Sequence, residues 1–185
     1  MVKYDLIPEQ LLYEGSIAPE QLFEPPPIDE DAITRTHEAD YWRRLRTLSL
    51  SREEARRTGF THEASLIHRE AVITQGTVLC CAYALKDGAA LNVSGGMHHA
   101  YADRGEGFCL LNDVAIAANE LLRTGQASRI LVIDLDVHQG NGTAHVFRHR
   151  PEVVTFSMHG ANNFPLRKEL SDCDIALPDG ADDAL

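Results

Sequence analysis

Residues 129–137 read RILVIDLDV, an apolar run that carries two carboxylates, Asp134 and Asp136, and passes at once into His138, Gly140 and Gly142. A charged group inside such a segment is costly unless it is paired or binds a metal. The continuous apolar run predicts a strand of a parallel sheet covered on both faces. Residues two apart on a strand share a face, so Asp134, Asp136 and His138 point the same way if the strand stays regular that far. A carboxylate beside an imidazole is a natural ligand pair for Zn²⁺ or a similar ion. The competing reading is that Asp134 caps a neighbouring helix and His138 is a satisfied loop histidine. The glycines let the backbone turn tightly over either arrangement.

The surrounding pattern predicts more of the same architecture. Residues 24–34, EPPPIDEDAIT, read as a proline-stiffened loop and a helix start with acids in its first turn. Short surface helices are predicted at 40–48 and 51–58. A long helix is predicted over 61–85 on the stripe Ile67, Ala71, Val78, Ala82 and Leu85, with Gly76 weakening its middle. Residues 89–96, AALNVSGG, read as a short strand. A helix follows with Val114, Ala117, Ala118, Leu121 and Leu122 on one face, Asn112 as cap and Gly125 as stop. Next come the 129–137 strand, a short helix in GTAHVFRH and a strand in EVVTFSMH. This alternation implies right-handed βαβ units and an α/β fold with a mostly parallel sheet and helices on both faces. Ligands in such sheets sit beyond the carboxyl ends of the strands. Those ends are GGMHHA, DLDVHQGNG and SMHGANNF, and histidines gather at all three.

Composition narrows the function classes. The 185 residues are enough for one domain, and a single domain over 1–185 is expected. A net charge of −11 argues against gripping nucleic acid over the whole surface. No apolar run approaches the roughly 20 residues that span a bilayer, and the start lacks the layout of a signal peptide. The four cysteines, Cys80, Cys81, Cys109 and Cys173, form no C-x-x-C, so reduced thiols and a cytoplasmic location are expected. His98 and His99 titrate near neutral pH and suit general acid and base roles, although adjacent loop histidines can be incidental. Cys109 lacks any thiolate-activating pattern and reads as a small buried thiol beside the site.

GGMHHA, GEGFCLLNDVAIA and DLDVHQGNGT, in this order and spacing, resemble the histone deacetylase superfamily of zinc-dependent amidohydrolases. The HQGNG form with FSMHGANNFP downstream is most similar to its class IV-like and bacterial branch. The resemblance runs over most of the chain and is densest from residue 92 to 165. It implies an arginase/deacetylase-like sheet, and it implies roles position by position. Asp136 and His138 match two of three zinc ligands. His98 and His99 match the tandem histidines that activate water and protonate the leaving amine. Asp134 matches the carboxylate that orients the first histidine and belongs to a structural K⁺ site, shared with Ser157 and Met158. Gly107, Phe108 and Phe164 match the lining of the channel for the acyl-lysine stem. The implied substrates are acylated lysine in proteins or acylated small amines.

Two departures qualify that reading. Asn141 stands where many relatives have an aspartate, so His99 should be less basic than with an anionic partner. The family domain is also longer than this chain. The third zinc ligand and the catalytic tyrosine are expected beyond residue 185, and an N-terminal strand is expected to be missing. Asp172, Asp174, Asp179, Asp182 and Asp183 lack the matching context and are not assigned as ligands. With two ligands and no tyrosine, the chain alone is expected to be inactive, and its open sheet is expected to drive self-association. A manganese ureohydrolase is the lesser alternative, because Gly140 stands where its D-x-H-x-D motif needs the last aspartate. A non-catalytic, deacetylase-like binding or assembly module is the alternative from another class.

Overall fold

The computed structural model describes residues 2–182. The helices are α1 (Lys3–Tyr13), α2 (Glu30–Thr34), α3 (Ala39–Arg46), α4 (Arg52–Thr58), α5 (Ala64–Asp87), α6 (Asp113–Arg123) and α7 (Asn141–Phe147). The strands are β1 (Ile130–Asp134), β2 (Val153–Gly160) and β3 (Cys173–Leu177). All pair in parallel, in the order β1-β2-β3. Asp134 lies opposite Ser157, and Ser157 opposite Asp174. Asp183 lies outside the described residues. No helix among the described residues is long and apolar enough to cross a membrane.

Local chemistry explains the helices nearest the site. In α3, Tyr41, Trp42 and Leu45 share the buried face, while Arg43 and Arg46 are exposed and the part-buried Arg44 pairs with Glu54. Helix α4 opens on a capping box, with Glu54 N–H donating to Ser51 Oγ and Ser51 N–H donating to Glu54 Oε2. It closes on Gly59 at φ +74°, where a Cβ would also strike the Phe108 ring at 2.6 Å. Gly76 does not interrupt α5. A Cβ there would meet Asn92 Nδ2 at 3.0 Å, so the glycine lets the loop after the helix pack against it.

Some expectations change. Residues 89–96 form no strand; the segment is a loop whose Asn92 donates to Ile73 O and Thr77 Oγ1 instead of to a sheet. Burial on α5 holds from Ile67 to Cys80 and then ends, leaving Leu85 exposed. Helix α6 buries more than one stripe: Ile116 joins the core of Ile33, Leu45, Ile67 and Leu111, while Ala115 and Ala118 face Phe147 and Val153. It lies between α5 and the sheet, so apolar residues are needed on two sides. β3 was not anticipated.

The sheet is covered on one face. Ile130 and Val132 pack with α6 and α7 residues, whereas Leu131 and Ile133 are 59% and 58% exposed. Val154 and Ile175 continue that bare face across the sheet. Among the described residues, burial on both faces of β1 is therefore not observed.

Candidate functional site

Strand β1 ends at Asp134, so the pleat does not align Asp134, Asp136 and His138. Two successive side-chain turns do so instead. Asp136 N–H donates to Asp134 Oδ1 at 3.0 Å, and His138 N–H donates to Asp136 Oδ1 at 2.8 Å. The other oxygen of Asp134 meets His98 Nδ1 at 2.5 Å, so Asp134 orients that histidine and caps no helix. Asp136 Oδ1 lies 3.0 Å from His138 Nδ1 and 3.9 Å from His98 Nε2. Gly140 makes room for this arrangement: a Cβ would collide with Asp134 Oδ2 and sit 3.4 Å from His98 Nδ1.

The tandem histidines are held from behind by a residue that the motif reading passed over. Asp113 is fully buried and accepts hydrogen bonds from Gly96 N–H at 3.0 Å, Met97 N–H at 2.7 Å and Thr77 Oγ1 at 2.5 Å. Asn112 caps α6 through Ala115 N–H and also donates to Ala100 O at 3.1 Å. Thr143 N–H donates to His98 O at 3.1 Å, and a Cβ on Gly142 would lie 2.6 Å from the His99 carbonyl carbon. The first turns of α6 and α7 thus clamp the loop that carries the two rings. In sequence, Asp113 showed only as an acid near a helix start; its partners lie 16 to 36 residues upstream, and no local pattern announces them.

The His98 and His99 rings lie 4.0 Å apart between centroids. His99 Nδ1 faces Asn141 Oδ1 at 2.7 Å, and Asn141 Nδ2 donates to the Tyr101 hydroxyl at 3.0 Å. Burial is the main force lowering the His99 pKa to about 4; nearby His98 lowers it further, and the Asn141 bond opposes the shift. His99 is therefore weakly basic chiefly through desolvation, and the Asn141 contact acts in the opposite direction.

Gly107 sits between the His99 ring and Phe164, where a Cβ would lie 2.7 Å from His99 Cδ2 and 3.0 Å from Phe164 Cε1. Phe164 stands edge-on to His99 at 4.9 Å and 90°. Phe108, at φ +63°, projects into solvent and packs edge-on against Phe60 at 5.6 Å. Its N–H donates to Thr58 O, and Gly107 N–H donates to Arg57 O, so the end of α4 fixes this wall. Cys109 is buried below, with its thiol pushed up to about 12 by burial, which is an inert sulfur.

Ser157 is buried beside Asp134 in the register, with its hydroxyl 3.0 Å from His159 Nδ1, and Met158 follows it on β2. The later acids have structural partners: Asp172 accepts from Thr155, Asp174 from Gln139 and Ser171, and Asp179 from Asn162. Asp136 and His138 bring one carboxylate oxygen and one imidazole nitrogen together on half-exposed side chains, a donor pair that suits zinc. No group of three His, Cys, Asp or Glu that could hold a metal occurs among the described residues.

Comparison with known proteins supplies the family. An uncharacterized protein of Picosynechococcus is 44% identical over 183 residues, covering 99% of this chain and 61% of that protein. The acetoin utilization protein AcuC of Staphylococcus aureus is 32% identical over 173 residues, covering 88% and 44%. This chain therefore spans only part of the length of these relatives. A crystal structure of a histone deacetylase homologue from Aquifex aeolicus superposes with a TM-score of 0.72 at 26% identity, over 88% of this chain and 49% of that one. A homologue complexed with SAHA gives 0.73 at 27%, with the same coverage. The histone deacetylase domain matches residues 1–183, so a fold of parallel strands with two histidines clamped at their carboxyl ends has its family: the chain belongs to the histone deacetylases.

Proposed function

We propose that this chain carries the zinc-binding and proton-transferring part of a hydrolase site for acyl-lysine, or for a related acylated amine. The observation that carries the reading is the convergence, beyond the ends of β1 and β2, of the Asp136–His138 donor pair and the His98–His99 pair. Asp136 and His138 would hold Zn²⁺, which when bound polarises an amide carbonyl and acidifies water. Asp134 fixes the His98 ring through Nδ1. Burial keeps the His99 ring neutral near pH 7, the form able to take a proton from water. The same histidine pair returns a proton to the amine as the amide C–N bond breaks. Gly107 and Phe164 border the His99 ring and, with the exposed Phe108, would line the path of the apolar stem of a neutral acyl-lysine. The homologue complexed with SAHA supports binding of a ligand of this kind.

Asp134, Ser157 and Met158 are proposed to hold a K⁺ ion behind the site. The four free cysteines suit a reducing cytoplasm. With two protein donors, this chain alone would bind zinc weakly and turn over little. That expectation keeps a second reading, a non-catalytic binding module.

The test is acetate release from an acetyl-lysine peptide by a protein of the relatives' length that contains this sequence. The reading requires that His99→Ala abolish the reaction. Activity unchanged by that substitution would remove the assigned role.

A further inference from the structure

The Asn141 side chain has one carbonyl oxygen and one NH₂, so it can face His99 in two ways. Here Oδ1 meets His99 Nδ1 at 2.7 Å, and Nδ2 donates to the Tyr101 hydroxyl at 3.0 Å. That hydroxyl donates its own proton to Glu169 Oε1 at 3.3 Å. An oxygen facing Nδ1 requires the imidazole proton to sit there, which leaves Nε2 with a lone pair. If the amide turned over, Nδ2 would face Nδ1, the imidazole proton would move to Nε2, and Oδ1 would need the Tyr101 proton. The two arrangements differ in the direction of every proton along His99, Asn141, Tyr101 and Glu169. A hydroxyl has one proton to give. When the Glu169 carboxylate takes it, the turned amide has no donor for its oxygen. A carboxylate at position 141 would carry no such ambiguity, because both of its oxygens accept. Asparagine hands the choice to the next residues in the chain of hydrogen bonds.

We propose that Tyr101, oriented by Glu169, is a positioning residue that fixes the Asn141 amide and so holds His99 as its Nδ1–H tautomer, with Nε2 free to accept a proton. The use of that lone pair rests on the hydrolase reading above; the choice of tautomer rests on the hydrogen bonds alone.

The surroundings are built to hold this arrangement. Tyr101 is 3% exposed, and the Arg104 guanidinium lies over its ring at 3.6 Å. Burial, with the charges of Glu106 and Glu169, raises its hydroxyl to about 12, so it keeps its proton at working pH. Glu169 is tied at its backbone: its N–H donates to Gln139 Oε1 at 2.9 Å, and its carbonyl accepts from Gln139 Nε2 at 2.8 Å. His145 Nδ1 lies 3.6 Å from Glu169 Oε1 on the other side.

Long-range ¹H–¹⁵N correlation of the histidines in the metal-free 185-residue chain, at a pH where His99 is neutral, reads the tautomer directly. Wild type is expected to show His99 predominantly as Nδ1–H. Tyr101→Phe should lower the Nδ1–H to Nε2–H ratio roughly tenfold, the upper end for one neutral amide–hydroxyl hydrogen bond. Glu169→Gln should act the same way, because a glutamine amide can donate to the hydroxyl and turn its proton toward Asn141. Adding Asn141→Asp to Tyr101→Phe should restore Nδ1–H, a rescue that a purely packing role for Tyr101 does not give. An unchanged ratio in folded Tyr101→Phe, checked by circular dichroism, overturns the proposal. Should that variant not fold, an unchanged ratio in Glu169→Gln overturns it equally. Neither metal nor substrate is present, so a shifted ratio here upholds this inference even if the longer protein of the hydrolysis test releases no acetate, the outcome that sinks the hydrolase reading. Hydrolysis with an unshifted ratio does the reverse.

Discussion

Gly140→Ala puts one methyl group against the contact that organises the site. The backbone at Gly140, φ −71° and ψ 60°, is open to an L residue, so the cost comes from contact and not from the main chain. The new Cβ would collide with Asp134 Oδ2 and lie 3.2 Å from Asp134 Cγ. The carboxylate cannot swing away freely, because its other oxygen accepts from Asp136 N–H at 3.0 Å. A retreat of about 1 Å stretches the His98–Asp134 pair from 2.5 Å beyond hydrogen-bonding distance. Losing a hydrogen bond to a charged group costs about 1.5–3 kcal/mol. For a chain of this size that is a fall of roughly 3–12 °C in melting temperature. The assay is thermal unfolding by circular dichroism, together with the NMR resonance of the His98 Nδ1 proton. A variant that keeps both the wild-type melting temperature and that resonance would refute the claim that Asp134 is pinned between the two partners.

Two further outcomes follow from burial. His37, like His99, is lowered to about 4 from an ordinary 6.5, chiefly by desolvation, so unfolding takes up as many as two protons between those pH values. Stability should therefore fall as pH drops from about 6.5 to about 4, and urea midpoints that stay flat across that window would contradict it. The bare sheet face should drive association, and Leu131→Lys with Ile133→Glu should reduce the mass seen by light scattering at less than about 1 kcal/mol in stability. A monodisperse wild-type monomer would count against this.

The parts of the fold that followed from sequence are those in which local pattern and tertiary role coincide. Asn112 caps α6 as read, because a cap needs only a neighbouring N–H. The β1 and β2 strands were legible from their apolar runs, but β1 is shorter than the run, because the Asp134 and Asp136 side chains capture the next backbone N–H groups and bend the chain. Residues 89–96 looked like a strand because alternation cannot reveal that Asn92 and Asp113 satisfy that backbone from outside a sheet. Motif spacing located His98, His99, Asp134 and Asn141, and the structure brings them into contact. It could not reveal Asp113, Tyr101, Gln139 or Glu169, whose roles depend on partners 16 to 68 residues away in the chain.

The central claim is that Asp136 and His138 bind zinc beside the two histidines. Its most direct test is isothermal titration of the metal-free chain with Zn²⁺, in wild type and in Asp136→Ala and His138→Ala. The account predicts one weak site per chain in wild type, lost in both variants. Binding of equal affinity in either variant would contradict it.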